Sequence, residues 1–362
     1  MNIIVELHHP GDPLFFQHPV AEWLVHGHQV TLINRDRGPM KQLVEALYPP
    51  PDGASFQVRT ASRIARSNRL PLLEAARRHT AVTRAMLTRH ADAVVSLFGV
   101  YAQTAWLLRK PNVVFTDSEF QRFAHRIAHP FATAVVTPRC YRLDEGKKHV
   151  RYDGYHELAY LHPRRFSARP ERALAEAGLD GRRPLCVVRF SDFNTSHDML
   201  LRGLGEDERR DLVRRLRNVC DVVISFEGEP DEALRALCYK GPVERLHHLI
   251  AAAELCVSEG ATVASEAAVL GVPTIFINPT SRCYLDEQRD RYALCTSARN
   301  YQEALPLVAD MLYRLELERE AVRAEWRASR ARMLEDVIDV ASFARDFVEQ
   351  HVAERSGSTA QR

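Results

Sequence analysis

Short runs of consecutive apolar residues, each bounded by polar or turn residues, recur along the chain and alternate with longer stretches of helical period. The first series is Ile3–Leu7, Gln29–Ile33, Ala93–Leu97, Val113–Thr116 and Ala134–Thr137. Runs this short and this apolar predict strands covered on both faces, and the intervening stretches have room for the crossover helices that parallel neighbours need. The rhythm breaks after Thr137 in CYRLDEGKKHVRYDGYHELAYLHPRRFSARPERA, a polar, Arg-containing segment that predicts the connection between domains. A second series follows, with strands at Leu185–Phe190, Val222–Phe226, Leu255–Ser258 and Thr274–Asn278. Helices are expected near Glu206–Val219, Asp231–Leu237, Val243–Ala253, Ala261–Leu270 and Tyr284–Tyr292. From about Gln302 to Ala353 the pattern is helical throughout with mixed charge, and its polar side reads as a solvated face.

The fold class expected is therefore α/β, built from two doubly wound units at residues 1–155 and 165–310, followed by C-terminal helices over 311–355 that pack back on the first unit. The length of 362 residues agrees, at roughly 100–200 residues per domain. The balance of 49 Lys+Arg against 47 Asp+Glu leaves a net charge of +2, so no nucleic-acid partner is expected. No segment offers the ~18 uninterrupted apolar residues of a membrane span, and MNIIVELHHPGD has no basic stretch before its apolar run. The expected location is cytoplasmic. Seven widely spaced cysteines without a C-x-x-C pair argue against a disulfide or zinc framework. Residues 61–91 stand apart, with seven Arg (63, 66, 69, 77, 78, 84, 89) and one Glu (74). That stretch is either a solvated helix face or a peripheral contact with an anionic lipid surface or phosphate-bearing acceptor.

In open α/β sheets ligands bind beyond the carboxyl ends of the strands, so the loops there are the candidate site. The strongest is Ser258-Glu259-Gly260-Ala261-Thr262, running from a strand into a helix with Glu266 one turn in. Small residues let backbone approach a diphosphate, the helix start offers N–H groups with positive partial charge, and Glu266 can accept from ribose hydroxyls. A tight strand-to-helix turn explains the same residues. A second loop begins at Arg189 and continues through Ser191 and Asn194; the Arg can clamp phosphate oxygens or pair with Asp192. Gly228 in Glu227-Gly228-Glu229 and Val243 in Gly241-Pro242-Val243 lie where backbone can read a base edge, or simply turn. In the first unit His8-His9-Pro10-Gly11-Asp12-Pro13 offers general-base material in His9 and Asp12, although Asp12 before Pro13 also reads as a helix N-cap. Asp117 and Glu119 follow another strand, and acceptor binding or helix capping is favoured for them over a metal role.

Four segments, HGHQVTLI, TDSEF…AHPFATAVVTP, YDGYHELAYLHPRRF and SEGATVASEAAVLGVPTIFINP, resemble domain-of-unknown-function family 354 over about residues 1–310. That family is similar to the glycosyltransferase-B superfamily, with the lipid-linked N-acetylglucosamine transferase of peptidoglycan synthesis and the non-hydrolysing UDP-N-acetylglucosamine 2-epimerase. The resemblance implies two Rossmann-like domains facing a cleft and metal-independent transfer from a nucleotide-diphosphate sugar, a UDP-sugar first, to a glycan or lipid-linked acceptor. The donor is a substrate and no cofactor is expected. Diphosphate and ribose contacts map onto Ser258, Gly260, Ala261, Thr262 and Glu266, and the base-reading segment onto Pro242 and Val243. Where the family has H-P-x-H, this chain has His9-Pro10-Gly11-Asp12, which puts Asp12 at the base position with His9 assisting. Epimerisation and donor binding without turnover are the alternatives. Against the first, the epimerase segments F-G-T-R-P-E and R-x-x-T-E-R-P-E are replaced here by ELHHPGD and NPTSRCYLDE.

Overall fold

The computed structural model describes residues 1–36, 40–48, 55–63, 71–191, 203–226 and 228–360. The chain forms two compact units, Met1–Arg165 together with Ile338–Arg362, and Phe166–Val337. Unit 1 holds a seven-stranded sheet of β1 (Asn2–Leu7), β2 (Gln29–Asp36), β3 (Phe56–Arg63), β4 (Ala93–Ser96), β5 (Asn112–Phe115), β6 (Ala134–Pro138) and β7 (His149–Tyr152). Their order is β3-β2-β1-β4-β5-β6-β7, with every pairing parallel. Unit 2 holds β8 (Leu185–Phe190), β9 (Asp221–Phe226), β10 (Leu255–Ser258), β11 (Thr274–Ile277) and β12 (Cys295–Ala298), parallel in the order β12-β11-β10-β8-β9.

Sheet position explains which strands an apolar run reveals. Buried strands such as β1 and β8 carry side chains covered on both faces. The three strands that no apolar run announced, β3, β7 and β12, are all edges: β7 is HVRY and largely open, and β12 is CTSA with its middle exposed. Helix Glu206–Val219 turns Leu212, Val213 and Leu216 inward and points its Arg-rich side outward. The helix expected over Asp231–Leu237 is instead a turn ending in a single 3₁₀ stretch, Arg235–Leu237. There Asp231 accepts from the Ala233 N–H, an Asx turn that competes with helix, and Cys238 bridges to Ile224 of β9. Val243–Ala253 splits into a 3₁₀ turn, Val243–Arg245, and helix Leu246–Ala252.

The C-terminal helical region is three helices. Tyr301–Leu317 and Arg319–Asp336 belong to unit 2, and Val340–Ala360 belongs to unit 1. The last one packs on helix Gly11–Val25, where the buried Trp23 indole donates to the Arg345 carbonyl at 3.4 Å and Glu22 pairs with Arg345 at 2.7 Å. Arg165 donates to Asp339 at 2.8 Å and also pairs with Glu22. Among the described residues no helix is long and apolar enough to cross a membrane.

Each sheet reverses its winding once. In unit 1 the reversal lies between β1 and β4, in unit 2 between β8 and β10. The crevice at such a reversal, beyond the strands' carboxyl ends, is where doubly wound sheets hold ligands.

Candidate functional site

The loops that leave β8 and β10 flank the reversal in unit 2, and they carry Arg189, Ser191, Ser258 and Gly260. Helix Ala261–Leu270 starts there with Gly260 at its N-cap and no side chain capping it. Its first turn is open, Thr262 being exposed and Ala261 half-buried. The glycine keeps this approach close: a Cβ at this position would stand 3.3 Å from Ser191 Oγ, which would have to shift by a few tenths of an ångström, and in ordinary contact, 3.5 Å, with Arg189 Cγ. Ser258 Oγ donates to the Gly260 carbonyl at 2.7 Å and accepts the Gly260 N–H at 3.1 Å, which fixes the turn. Arg189, half-buried at the end of β8, donates to Ser225 Oγ at 2.8 Å. The N–H groups and the guanidinium together make a surface suited to an anion.

Behind this surface lies Glu259, only 2% exposed. Its carboxylate accepts the N–H of Leu204 at 2.6 Å and of Ser191 at 3.2 Å, and pairs with Arg209 at 2.9 Å. Arg209 in turn lies over the rings of Phe190 and Phe226, at 5.1 and 5.3 Å from their centroids. Burial pushes the Glu259 carboxyl up, and Arg209 with the two backbone donors pulls it back. Neither residue was singled out from sequence. Glu259 stood inside the quoted motif, but its partner lies on helix Glu206–Val219, beyond the reach of any local pattern.

Glu266 does not face open solvent. It is 3% exposed, and its Oε1 lies 2.9 Å from Nε2 of the buried His247 on helix Leu246–Ala252. Val243 is 39% exposed, at the first position of its 3₁₀ turn after Pro242. Gly228 adopts φ +95°, a conformation that favours glycine. Asn194 lies outside the described residues, with the rest of 192–202.

At the unit 1 reversal, Asp12 is not an N-cap. Pro10 caps helix Gly11–Val25, and Asp12 sits inside its first turn. Asp12 Oδ2 accepts the N–H of His8 at 2.6 Å and of His9 at 3.0 Å, so the carboxylate folds the loop onto itself. The side chain is 1% exposed beside Glu6, itself 3% exposed. Burial pushes the Asp12 carboxyl up to about 7 against those two donors. Burial and the neighbouring Asp12 push Glu6 up to about 8, against the pull of Arg78 and Arg35. His8 lies 3.1 Å from Arg35 Nη1 and 3.2 Å from Arg78 Nη1. His9 is exposed, its Nδ1 accepting the Gly11 N–H at 3.3 Å and its ring edge-on to Phe98.

The other predicted unit 1 residues are tied into the protein. Asp117 accepts from Ser118 Oγ at 3.0 Å and lies 3.4 Å from His156 Nδ1; Glu119 accepts the Arg142 N–H. In the basic stretch, Arg77 and Arg84 of helix Pro71–Thr88 are exposed and Arg78 turns to His8, while Arg66 and Arg69 lie outside the described residues.

A family model described as protein of unknown function, domain family 354, matches residues 1–305. A search of the curated proteins found no match. Similar solved structures include CalG4, the calicheamicin glycosyltransferase (16% identical over 97% of this chain and 98% of that one, TM-score 0.58). They also include MurG of Acinetobacter baumannii (14%, 96% and 99%, 0.60) and UDP-GlcNAc 2-epimerase of Neisseria meningitidis bound to UDP-GlcNAc (9%, 90% and 94%, 0.62). The likeness is one of fold, two parallel sheets amid helices of the glycosyltransferase-B type with a helical C-terminus.

Proposed function

The chain belongs to domain-of-unknown-function family 354, and from that premise we propose that it moves a sugar from a nucleotide-diphosphate sugar, a UDP-sugar first among them, to an acceptor hydroxyl. The observation that carries this reading is the uncapped start of helix Ala261–Leu270 at the unit 2 reversal, with Gly260 opening the backbone and Arg189 beside it. As the bond to the sugar breaks, negative charge grows on the departing diphosphate. First-turn N–H groups at Ala261 and Thr262, with the Arg189 guanidinium, take up that charge without reorganising. Glu259 and Arg209 hold the two loops in place behind them. Glu266 receives the ribose hydroxyls by releasing part of its contact with His247, and the backbone near Val243 and Gly228 meets the base. Ser191 and Asn194 complete the donor contacts.

The acceptor proton goes to His9 Nδ1, which releases the Gly11 N–H to take it. Asp12 occupies the position that the family resemblance gives to the base, yet at 1% exposure it cannot touch an acceptor, whereas His9 is open to solvent. In this reading Asp12 is the positioning residue that holds the His8–His9 backbone. Asp117 and Glu119 face the acceptor side of the same unit, and a glycan or lipid-linked hydroxyl is the acceptor class.

Donor binding is the test. Titrating the protein with UDP, other nucleoside diphosphates and their sugar conjugates should raise its thermal stability, by ~2.7 kcal/mol at a hundred times Kd. Gly260→Val should lose that response while still folding. No response to any nucleoside diphosphate, or an unchanged response in Gly260→Val, overturns the reading. Conversion of UDP-GlcNAc alone to its manno epimer would replace transfer with epimerisation, and binding without turnover on a broad acceptor panel would leave a donor-binding protein.

A further inference from the structure

Among the described residues two clusters in unit 1 gather metal-ligating side chains, and the one at His125, His129 and Glu145 is the more enclosed. His125 lies in the last turn of helix Arg122–Ile127, His129 begins the 3₁₀ turn His129–Phe131, and Glu145 stands in the connection from β6 to β7. Nδ1 of His125 lies 2.9 Å, and Nδ1 of His129 3.0 Å, from the same carboxylate oxygen, Glu145 Oε1. Tyr141 adds its hydroxyl, 3.1 Å from that oxygen and 3.2 Å from His125 Nδ1. His129 is 2% exposed, and its Nδ1 meets Glu145 Oε1 in a direction too bent for a well-formed hydrogen bond.

The proton count is informative. His125 Nε2 lies 3.1 Å from the Ser118 carbonyl. A carbonyl only accepts, so Nε2 carries the ring proton and Nδ1 presents a lone pair to Glu145 Oε1. Two lone pairs at 2.9 Å repel unless a second proton or a metal cation stands between them. The proton is one answer, shared between His125 Nδ1 and Glu145 Oε1. The second answer also uses the His129 Nδ1 lone pair, since the ring's own Nδ1 proton would meet Glu145 Oε1 only along a bent line.

We propose that His125, His129 and Glu145 bind a divalent transition-metal ion of the zinc class, with the Tyr141 hydroxyl or a water as fourth donor. Two neutral imidazoles and one carboxylate are a donor set that zinc takes at about 2.0–2.2 Å. Tetrahedral donors at that length stand ~3.3 Å apart, so the nitrogens and Oε1 need part by only a few tenths of an ångström. The His125 N–H to Ser118 carbonyl bond is the outer-shell contact that fixes the tautomer of a metal-bound histidine. Its consequence is positional. Ser118 stands between Asp117 and Glu119, and Glu119 accepts the N–H of Arg142 in the same connection that carries Glu145. An ion here pins the loop after β5 to the connection after β6, and it acts as a brace, whatever reaction the protein performs.

The experiment loads the full chain, stripped with chelator, with Co²⁺ and then displaces it with Zn²⁺. One equivalent should bind with the visible d–d bands of a tetrahedral site. X-ray absorption of the zinc-loaded wild-type chain should read only nitrogen and oxygen neighbours, histidine among them. Zinc affinity should fall by more than the ~10–100-fold that loss of an outer-shell partner costs in both Glu145→Gln and His129→Asn. His28→Asn, at the separate His26, His28 and Glu349 group, should leave it unchanged. Absence of uptake by the wild-type chain, sulfur in the first shell, affinity unmoved by both substitutions, or affinity lost in His28→Asn each overturns the proposal. The spectroscopic arm uses unsubstituted protein and stands even where a variant fails to fold.

Discussion

Asp12 and Glu259 are built alike and surrounded differently. Each is a buried carboxyl at the reversal of a doubly wound sheet, and each accepts two loop N–H groups: those of His8 and His9 for Asp12, those of Leu204 and Ser191 for Glu259. The third neighbour differs. Glu259 meets the Arg209 guanidinium at 2.9 Å, whereas the neighbour that raises Glu6, and is raised with it by burial, is another acid. The same backbone bracing therefore sits beside a cation in unit 2, where Arg209 opposes the upward push of burial on Glu259, and beside a second acid in unit 1, where burial pushes Asp12 up to about 7 and Glu6 to about 8. In the proposed reaction, donor charge would call for the first kind of surroundings and proton handling for the second.

Three measurements break or sharpen that contrast. The largest effect is expected at His9, the exposed member of the unit 1 loop. His9→Gln should lower transfer by ~10²–10⁴-fold, the usual worth of a general base, with donor affinity unchanged. A parallel loss of donor affinity would remove the assignment. Next, Glu259→Ala leaves Arg209 buried without its anion, which should cost ~3–5 kcal/mol and lower the melting temperature of unit 2 together with donor binding. A variant as stable as the parent would show the bracing to be dispensable.

The smallest effect is a slope. Glu6 keeps its proton in the fold up to about 8, while the unfolded chain loses it near the ordinary 4.5. The folded state thus holds more protons between those values, and stability falls as pH rises through that window. Denaturant midpoints measured across it should decline in the parent and decline less steeply in Glu6→Gln, where Asp12, raised to about 7, keeps its own share of the slope below that pH. Identical slopes would mean that burial does not hold the Glu6 proton.

The central strands and two helices, Glu206–Val219 and Ala261–Leu270, are readable from sequence because their partners impose a period on every residue. Three of the four edge strands, β3, β7 and β12, are not, since they bury too little of each side chain to need an apolar run, whereas the fourth, β9, buries its middle four residues and reads as one. The turn at Asp231 illustrates the local competitor, a side chain that bonds its own backbone. In the site, the strand-end loops themselves announce where to look. What they conceal is partnership: Glu259 with Arg209, Glu266 with His247, and the burial of Asp12, all set by elements distant along the chain. The histidine pair at 125 and 129 gave no motif because its carboxylate comes from beyond the next strand.

Unit 1 is assembled from both ends of the chain, so unit 2 is an insertion that leaves after Arg165 and returns at Ile338. The two crossings are riveted on the unit 1 side: Ile338 N–H donates to the Asp153 carbonyl at 2.9 Å, and Arg165 pairs with Asp339 at 2.7 Å. A single proteolytic nick within unit 2 therefore leaves both fragments anchored. Ending the chain before Ile338 instead removes the helix that covers Trp23, and the cost of that truncation falls on the amino-terminal unit.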